Sequence, residues 1–308
     1  MKVVVTGAAG LVGQNLIPRL KALGRFEIVA IDKHPANTPL LRKLHPDITV
    51  MEADLADAGH WTNALDGADA VVLGHAQIGG LAAAEFTRNN VTATERLLSA
   101  VRERGGAYLV HISSSVVNSA ATDWYTESKK AQEELVLSSG NPCIVLRPTL
   151  MFGWFDRKHL GWLARFMKKV PLFPVPGRGR YLRQPLYVGD FCDIIVACLQ
   201  SRPRGSYNIS GQERIDYIEL IRLVRAASGA RTQIVNLPYS LFWLMLKTYA
   251  LFNPDPPFTT KQLEALVTPD VFEVIDWPKI FGVRSTPLAQ ALQETFRDPR
   301  YSSIVLEF

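Results

Sequence analysis

Met1-Lys2-Val3-Val4-Val5-Thr6-Gly7-Ala8-Ala9-Gly10-Leu11-Val12-Gly13 opens the chain, and an amphipathic stretch continues from it through Leu20. Val3–Val5 is a short apolar run suited to a buried strand. A strand, a turn of small residues and a helix start together make a phosphate site. Small residues let the backbone approach a pyrophosphate, and the helix N-terminus meets its charge. Gly7, Gly10, Leu11, Val12 and Gly13 are therefore candidate dinucleotide contacts, the alternative being an ordinary turn between strand and helix.

Two residues downstream favour the dinucleotide. The next apolar run, Ile28–Ile31, ends in Asp32, about twenty residues after the glycines, where a carboxylate accepts hydrogen bonds from an adenosine ribose. That placement favours NAD over NADP, although Lys33 and His34 follow directly and could accept a 2′-phosphate if Asp32 turned away. Asp54-Leu55, after the run Ile48–Met51, is placed to meet the adenine or else forms a surface turn. Strands are expected at Val3–Val5, Ile28–Ile31, Thr49–Met51, Ala70–Leu73, Tyr108–Ile112 and Ile144–Leu146, with helical periodicity over Leu81–Glu103 and Trp124–Leu137. This alternation implies an α/β fold, a doubly wound Rossmann-type parallel sheet. The expected division is a nucleotide-binding domain over 1–150, with return strands near 185–209, and a smaller, mostly substrate-binding cap over 151–308.

The chemistry concentrates at Tyr125-Thr126-Glu127-Ser128-Lys129, behind the strand-like Leu109–Ile112 and the serines Ser113-Ser114-Ser115. Four residues apart on a helix, Tyr125 and Lys129 share a face. The ammonium can then sit beneath the phenol and lower its pKa from about 10 toward general acid–base work. A serine hydroxyl before the helix could hold the same substrate oxygen.

In order and spacing, Thr6-Gly7-x-x-Gly10-x-x-Gly13 and Tyr125-x-x-x-Lys129 resemble the extended short-chain dehydrogenases/reductases, the group that includes sugar-nucleotide epimerases and dehydratases. The likeness runs through most of the chain. It implies an NAD-dependent enzyme in which Tyr125 removes a hydroxyl proton, Lys129 assists, and hydride leaves the same carbon. Aligned from Val116-Val117, Ser114 takes the serine position, with Ser115 the runner-up and Ser113 the strand end; Asn118-Ser119 replace the family's Tyr-Gly. Ser115-Val116 stand where dehydratases carry Asp-Glu, which argues against dehydration. The resemblance also puts Pro148 beside the nicotinamide and Arg183, aided by Arg178, on a substrate diphosphate. The second clamp arginine, in an Arg-x-Gly-Asp type motif, is absent, which leaves room for a polyprenyl-diphosphate-linked sugar beside a nucleotide sugar. The expected reaction is epimerisation, at C4, through a keto intermediate. The alternatives are a ketoreductase of a nucleotide keto-sugar, a hydroxysteroid-type dehydrogenase and, last, a non-catalytic dinucleotide binder, a kind of relative that commonly lacks the Tyr or the Lys. The tail from Pro257-Phe258-Thr259-Thr260 to Thr286-Pro287-Leu288 resembles that of relatives acting on sterol-type ketones.

Composition agrees with this class. At 308 residues, 47% hydrophobic and 20% charged, the chain can bury a large core. Its net charge of +5 is spread without a basic run of helix length, so no nucleic-acid partner is expected, and an anionic small molecule or a membrane surface explains the excess. Cys143, Cys192 and Cys198 lack metal-ligand spacing and read as reduced core residues. The start, directly on a strand, makes the cytoplasm the default location. In the family, helices corresponding to Leu81–Glu103 and Trp124–Leu137 often pair across a homodimer, which is expected here. Tyr239–Phe252 is too short to cross a bilayer but more apolar than a solvent-facing helix should be. It reads as a buried cap helix, a wall for a hydrophobic substrate, or a peripheral membrane contact.

Overall fold

A computed structural model describes residues 1–253, 259–268 and 271–307; Pro257 and Phe258 lie outside them. The nucleotide half alternates as its sequence periodicity requires: β1 (Lys2–Thr6), α1 (Leu11–Ala22), β2 (Glu27–Asp32), α2 (Asn37–Leu44), β3 (Thr49–Glu52) and β4 (Ala70–Leu73). Leu81–Glu103 is helical from residue 83 but not uniform. α3 (Ala83–Phe86) passes through a π-helical stretch, Thr87–Thr92, into α4 (Ala93–Glu103). β5 (Tyr108–Ile112), α5 (Trp124–Ser138) and β6 (Cys143–Pro148) complete this half. Asp123 caps α5, its side chain accepting from the Thr126 N–H.

The later elements are shorter: β7 (Met151–Phe152), α6 (Leu160–Lys169), β8 (Leu172–Pro176), β9 (Leu182–Arg183), β10 (Leu186–Tyr187), α7 (Val188–Ser201), β11 (Gly205–Ile209) and β12 (Ile215–Asp216). They continue as α8 (Tyr217–Ser228), β13 (Gln233–Leu237), α9 (Tyr239–Phe252), α10 (Thr260–Val267), α11 (Trp277–Phe281) and α12 (Leu288–Arg297).

Seven parallel strands form the main sheet in the order β11-β6-β5-β4-β1-β2-β3. Crossovers run outward in both directions from the β1–β4 pair, so the crevice beyond their carboxyl ends is the switch point of the sheet. Of the two expected return strands, only β11 joins this sheet. β10 pairs with β7 instead, because Val188 already begins α7. One face of the sheet is covered by α1 and α7, whose Leu16, Ile17, Leu20, Phe191, Ile194 and Ile195 are fully buried against it. The other face buries Leu97 and Val101 of α4 and Val136 of α5. A separate core joins α6, β8, α8 and α12 through Met167, Val175, Ile221 and Leu292.

Candidate active site

The glycine turn is shaped for a ligand that must come close. Gly7 has φ +63°, and a Cβ there would collide with the Gly74 carbonyl across the switch point. Gly13 serves packing, since a Cβ would strike Ala8. At the start of α1 no side chain caps the helix and no acidic residue occupies the first turn, which leaves its N–H groups available to an anion. A cleft of about 300 Å³ opens here, lined by Gly7, Gly10, Leu11, Asp32, Asp54 and Leu55 among others.

Asp32 has a double task. Its Oδ2 accepts from the Ala9 N–H at 2.8 Å, tying the glycine turn to β2, and its Oδ1 accepts from the His34 N–H at 2.9 Å. Each carboxylate oxygen retains a further lone pair for a ribose hydroxyl. Of the two groups that could serve a 2′-phosphate, Lys33 is engaged elsewhere and His34 is tied through Nδ1, with Nε2 left as its donor. His34 Nδ1 accepts from the Ala36 and Asn37 N–H groups, and Lys33 Nζ donates to Asp54 and Asn89. The donor set fits NAD.

Ser114 follows the carboxyl end of β5, and Tyr125 and Lys129 stand one turn apart on α5. The Ser114 hydroxyl lies close enough to the Tyr125 phenol to favour its charged form. Ser113 is withdrawn from it, donating to Glu133 Oε2 at 2.6 Å, and Ser115 begins a 3₁₀ turn, Ser115–Asn118. Of the three serines, Ser114 is thus the one that reaches the phenol. Lys129 is buried and donates to the Ile112 carbonyl at 3.0 Å and to Gln132 Oε1.

That arrangement corrects one expectation. Burial pushes the Tyr125 phenol up, with the Ser114 hydroxyl acting the other way, and Lys129 does not contribute. Helical spacing puts the two residues on one face, but the long lysine chain turns to buried acceptors. The same burial pulls the Lys129 ammonium down to about 7, opposed by the nearby Glu133 carboxylate.

Several residues around Lys129 carried no sequence motif. Gln132 Nε2 donates to Thr94 Oγ1, and His75 bridges Thr94 Oγ1 and Thr6 Oγ1 through its two ring nitrogens. Burial first, and then Lys129, pulls His75 down to about 3, so the ring is neutral. Asn90, in the π-helical stretch, donates to Ser128 Oγ at 2.8 Å and holds Gln77 through its backbone. A π-turn displaces side chains from regular helical register, and such turns gather at functional sites. Glu133 and Arg147 pair through bidentate contacts, fixing α5 to β6.

Ser114, Tyr125 and Lys129 do not line this cleft, and the remaining expected residues lie apart from it as well. Pro148 ends β6, buried and paired in register with Ile209. Val12 packs against the core around α7. Arg178 is exposed on the turn after β8. Arg183 donates to the carbonyls of Leu182, Leu266 and Thr268, so its guanidinium holds the end of α10, where a diphosphate contact was expected.

The chain belongs to the NAD dependent epimerase/dehydratase family, whose description matches residues 3–210. It is accordingly an NAD-dependent enzyme of the extended short-chain dehydrogenase/reductase type. It is 29% identical over 264 residues to a 3 beta-hydroxysteroid dehydrogenase/Delta 5-->4-isomerase of Mycobacterium tuberculosis, covering 75% of this chain and 70% of that protein. It is 26% identical over 303 residues to an uncharacterised UDP-glucose epimerase of Bacillus subtilis, covering 85% and 95%. Among solved structures, the UDP-glucuronic acid 4-epimerase of Bacillus cereus, in complex with NAD, shares the fold at a TM-score of 0.69 and 21% identity, over 96% of this chain and 97% of that one.

Proposed function

We propose that the protein is an NAD-dependent epimerase acting at a hydroxyl, at C4, of a nucleotide- or polyprenyl-diphosphate-linked hexose. The observation that carries this reading is the nearness of the Ser114 hydroxyl to the Tyr125 phenol, just past the end of β5 where Lys129 is buried against the Ile112 carbonyl. Bound NAD supplies the hydride acceptor and donor. Gly7, Gly10 and the open N-terminus of α1 would hold its pyrophosphate, and Asp32 its adenosine ribose. Ser114 would orient the reacting oxygen, and the Tyr125 oxygen would take the proton from it, then return it after the keto intermediate has presented its other face. Lys129, held by the Ile112 carbonyl and Gln132, would carry a charge that its pKa of about 7 makes sensitive to pH. The region from Met151 onward would cover the substrate.

A second reading, a one-way dehydrogenase or ketoreductase acting on an apolar alcohol or ketone, is favoured by Arg183. Its donors are taken up by the end of α10, so they offer a diphosphate less. The hydroxysteroid dehydrogenase relative points the same way.

The test is to incubate the protein with NAD and UDP-glucose, UDP-glucuronic acid or a polyprenyl-diphosphate hexose, following the C4 configuration by NMR and the cofactor by absorbance. Interconversion of C4 epimers without build-up of reduced cofactor is the expected result. Stoichiometric cofactor reduction with a ketone product would replace the epimerase by the one-way enzyme.

A further inference from the structure

Helix α9, Tyr239-Ser-Leu-Phe-Trp-Leu-Met-Leu-Lys-Thr-Tyr-Ala-Leu-Phe252, has the composition of a core helix, yet none of its residues is buried among the described residues. Leu241, Leu244, Met245 and Phe252 follow helical spacing along one face, and Leu251 and Phe252 are 80% and 85% exposed. Apolar surface left this open in a folded chain marks a place where something else docks. The strip extends beyond the helix, because the exposed face of the β8–β13 pair adds Leu172 and Val235.

Charge identifies the partner. Residues 157–189 carry eight Lys and Arg, and residues 220–253 carry four, with no Asp or Glu in either stretch. These twelve belong to a chain of 34 Lys and Arg and 29 Asp and Glu, so the remainder, with 22 against 29, is net acidic. The fold brings the two stretches together through the β8–β13 pairing and the α6–α8 contact. Exposed Arg178 and Arg180 sit on the turn that meets the start of α9, where the Gly177 N–H donates to the Leu237 carbonyl at 2.7 Å and Asn236 Nδ2 to the Gly177 carbonyl at 2.9 Å. On the helix itself, the Lys247 ammonium lies 4.9 Å from the Trp243 ring centre, an aromatic and a long cation at one level. Tyr239 and Tyr249 add further rings with polar tips. Apolar side chains bordered by cations and amphipathic aromatics, with Glu264 exposed on the adjoining α10, match the boundary between acyl chains and anionic headgroups. Fourteen residues of helix span about 21 Å, and no helix among the described residues is long and apolar enough to cross a membrane, so the helix would lie in the surface.

We propose that α9, with the 177–181 turn beside it, docks this protein on an anionic lipid bilayer. The inference goes beyond the epimerase reading and does not depend on it, because its test reads binding and not turnover. The full chain is floated with phosphatidylcholine vesicles with and without phosphatidylglycerol, at low and high salt. The expected result is capture by the anionic vesicles, weakened several-fold by salt. The double variant Leu244→Glu with Leu251→Glu should lower the partition roughly tenfold or more. Arg178→Glu with Arg180→Glu should remove the preference for phosphatidylglycerol. Unchanged thermal midpoints certify that the variants are folded. Three results would overturn the proposal: no capture of the wild-type protein by anionic vesicles at low salt, capture that the α9 variant leaves unchanged, or light scattering showing a dimer that the α9 variant dissociates. The last would assign the helix to a second copy of the chain.

Discussion

Helices α5 and α9 invert each other. α5, Trp124–Ser138, is rich in polar residues and buries Thr126, Ser128, Lys129, Gln132 and Glu133; α9, Tyr239–Phe252, is almost wholly apolar and buries nothing among the described residues. Folding by hydrophobic burial alone would have sorted them the other way. In α5 the buried polar groups are held by specific partners, Lys129 by the Ile112 carbonyl, Ser128 by Asn90 and Glu133 by Ser113 and Arg147. In α9 much of the apolar surface stays exposed, Leu251 and Phe252 by 80% and 85%. Each helix departs from the ordinary rule where a role is proposed for it, chemistry in one case and docking in the other.

The largest effect that could break this comparison is at Tyr125. Replacing it by Phe removes the hydroxyl placed beside Ser114 and should lower turnover about 10³-fold, with NAD affinity unchanged. Single-turnover kinetics with a titration of NAD check it. Full activity in the variant would make the polar face of α5 a structural network and nothing more.

Next comes the cleft at the glycine turn. Gly7→Ala adds a Cβ against the Gly74 carbonyl at φ +63°. A destabilisation of about 3 kcal/mol is expected, with loss of NAD binding beyond what the stability change explains. Chemical denaturation with and without NAD separates the two. A variant that binds NAD normally would show that the turn tolerates a wider approach than the structure displays.

Lys129→Met sharpens the comparison through pH. Folding holds the Lys129 pKa at about 7, against 10.5 for the free side chain. Between those values the unfolded chain keeps a proton that the folded chain has released, so stability rises with pH across that window; the penalty for burying the charge is complete below it. Methionine, which cannot ionise, should therefore raise stability by roughly 1–3 kcal/mol near pH 7, and the gain should vanish as pH nears 10. Calorimetry at the two ends of the window measures this. A variant that is less stable near neutral pH would mean that the contacts with Ile112, Gln132 and Glu133 outweigh desolvation. Turnover should fall with either outcome.

What could be seen in the chain before its fold depends on how far apart the partners are. The β1–turn–α1 unit, Asp32 and the Tyr125–Lys129 spacing are local patterns, and each lands where periodicity places it. Gln132 and Asn90 gain their roles from Thr94, Gln77 and Ser128, up to 38 residues away and across a π-turn whose register no local pattern announces. The contacts of Arg183 are hidden for the same reason. Its partners include backbone carbonyls 83 and 85 residues on, and a carbonyl carries no residue-type signal. For α9, composition allowed burial, a substrate wall or a membrane contact, and the structure removes the first.

The smallest expected effect is the most direct test of that removal. Leu251 is 80% exposed, so Leu251→Ser takes away a side chain that folding did not withdraw from water. The change in unfolding free energy should stay within about 0.5 kcal/mol, where truncating a buried leucine would cost about 2–5 kcal/mol. The same substitution at Leu97, fully buried on α4, supplies the contrast. A loss of more than about 2 kcal/mol at Leu251 would mean that the helix is covered in solution, by chain beyond the described residues or by a second copy. A thermal midpoint independent of protein concentration would then decide for the former. A loss within the expected limit leaves the apolar face of α9 without a part in holding the monomer together, and its composition must answer to something outside it.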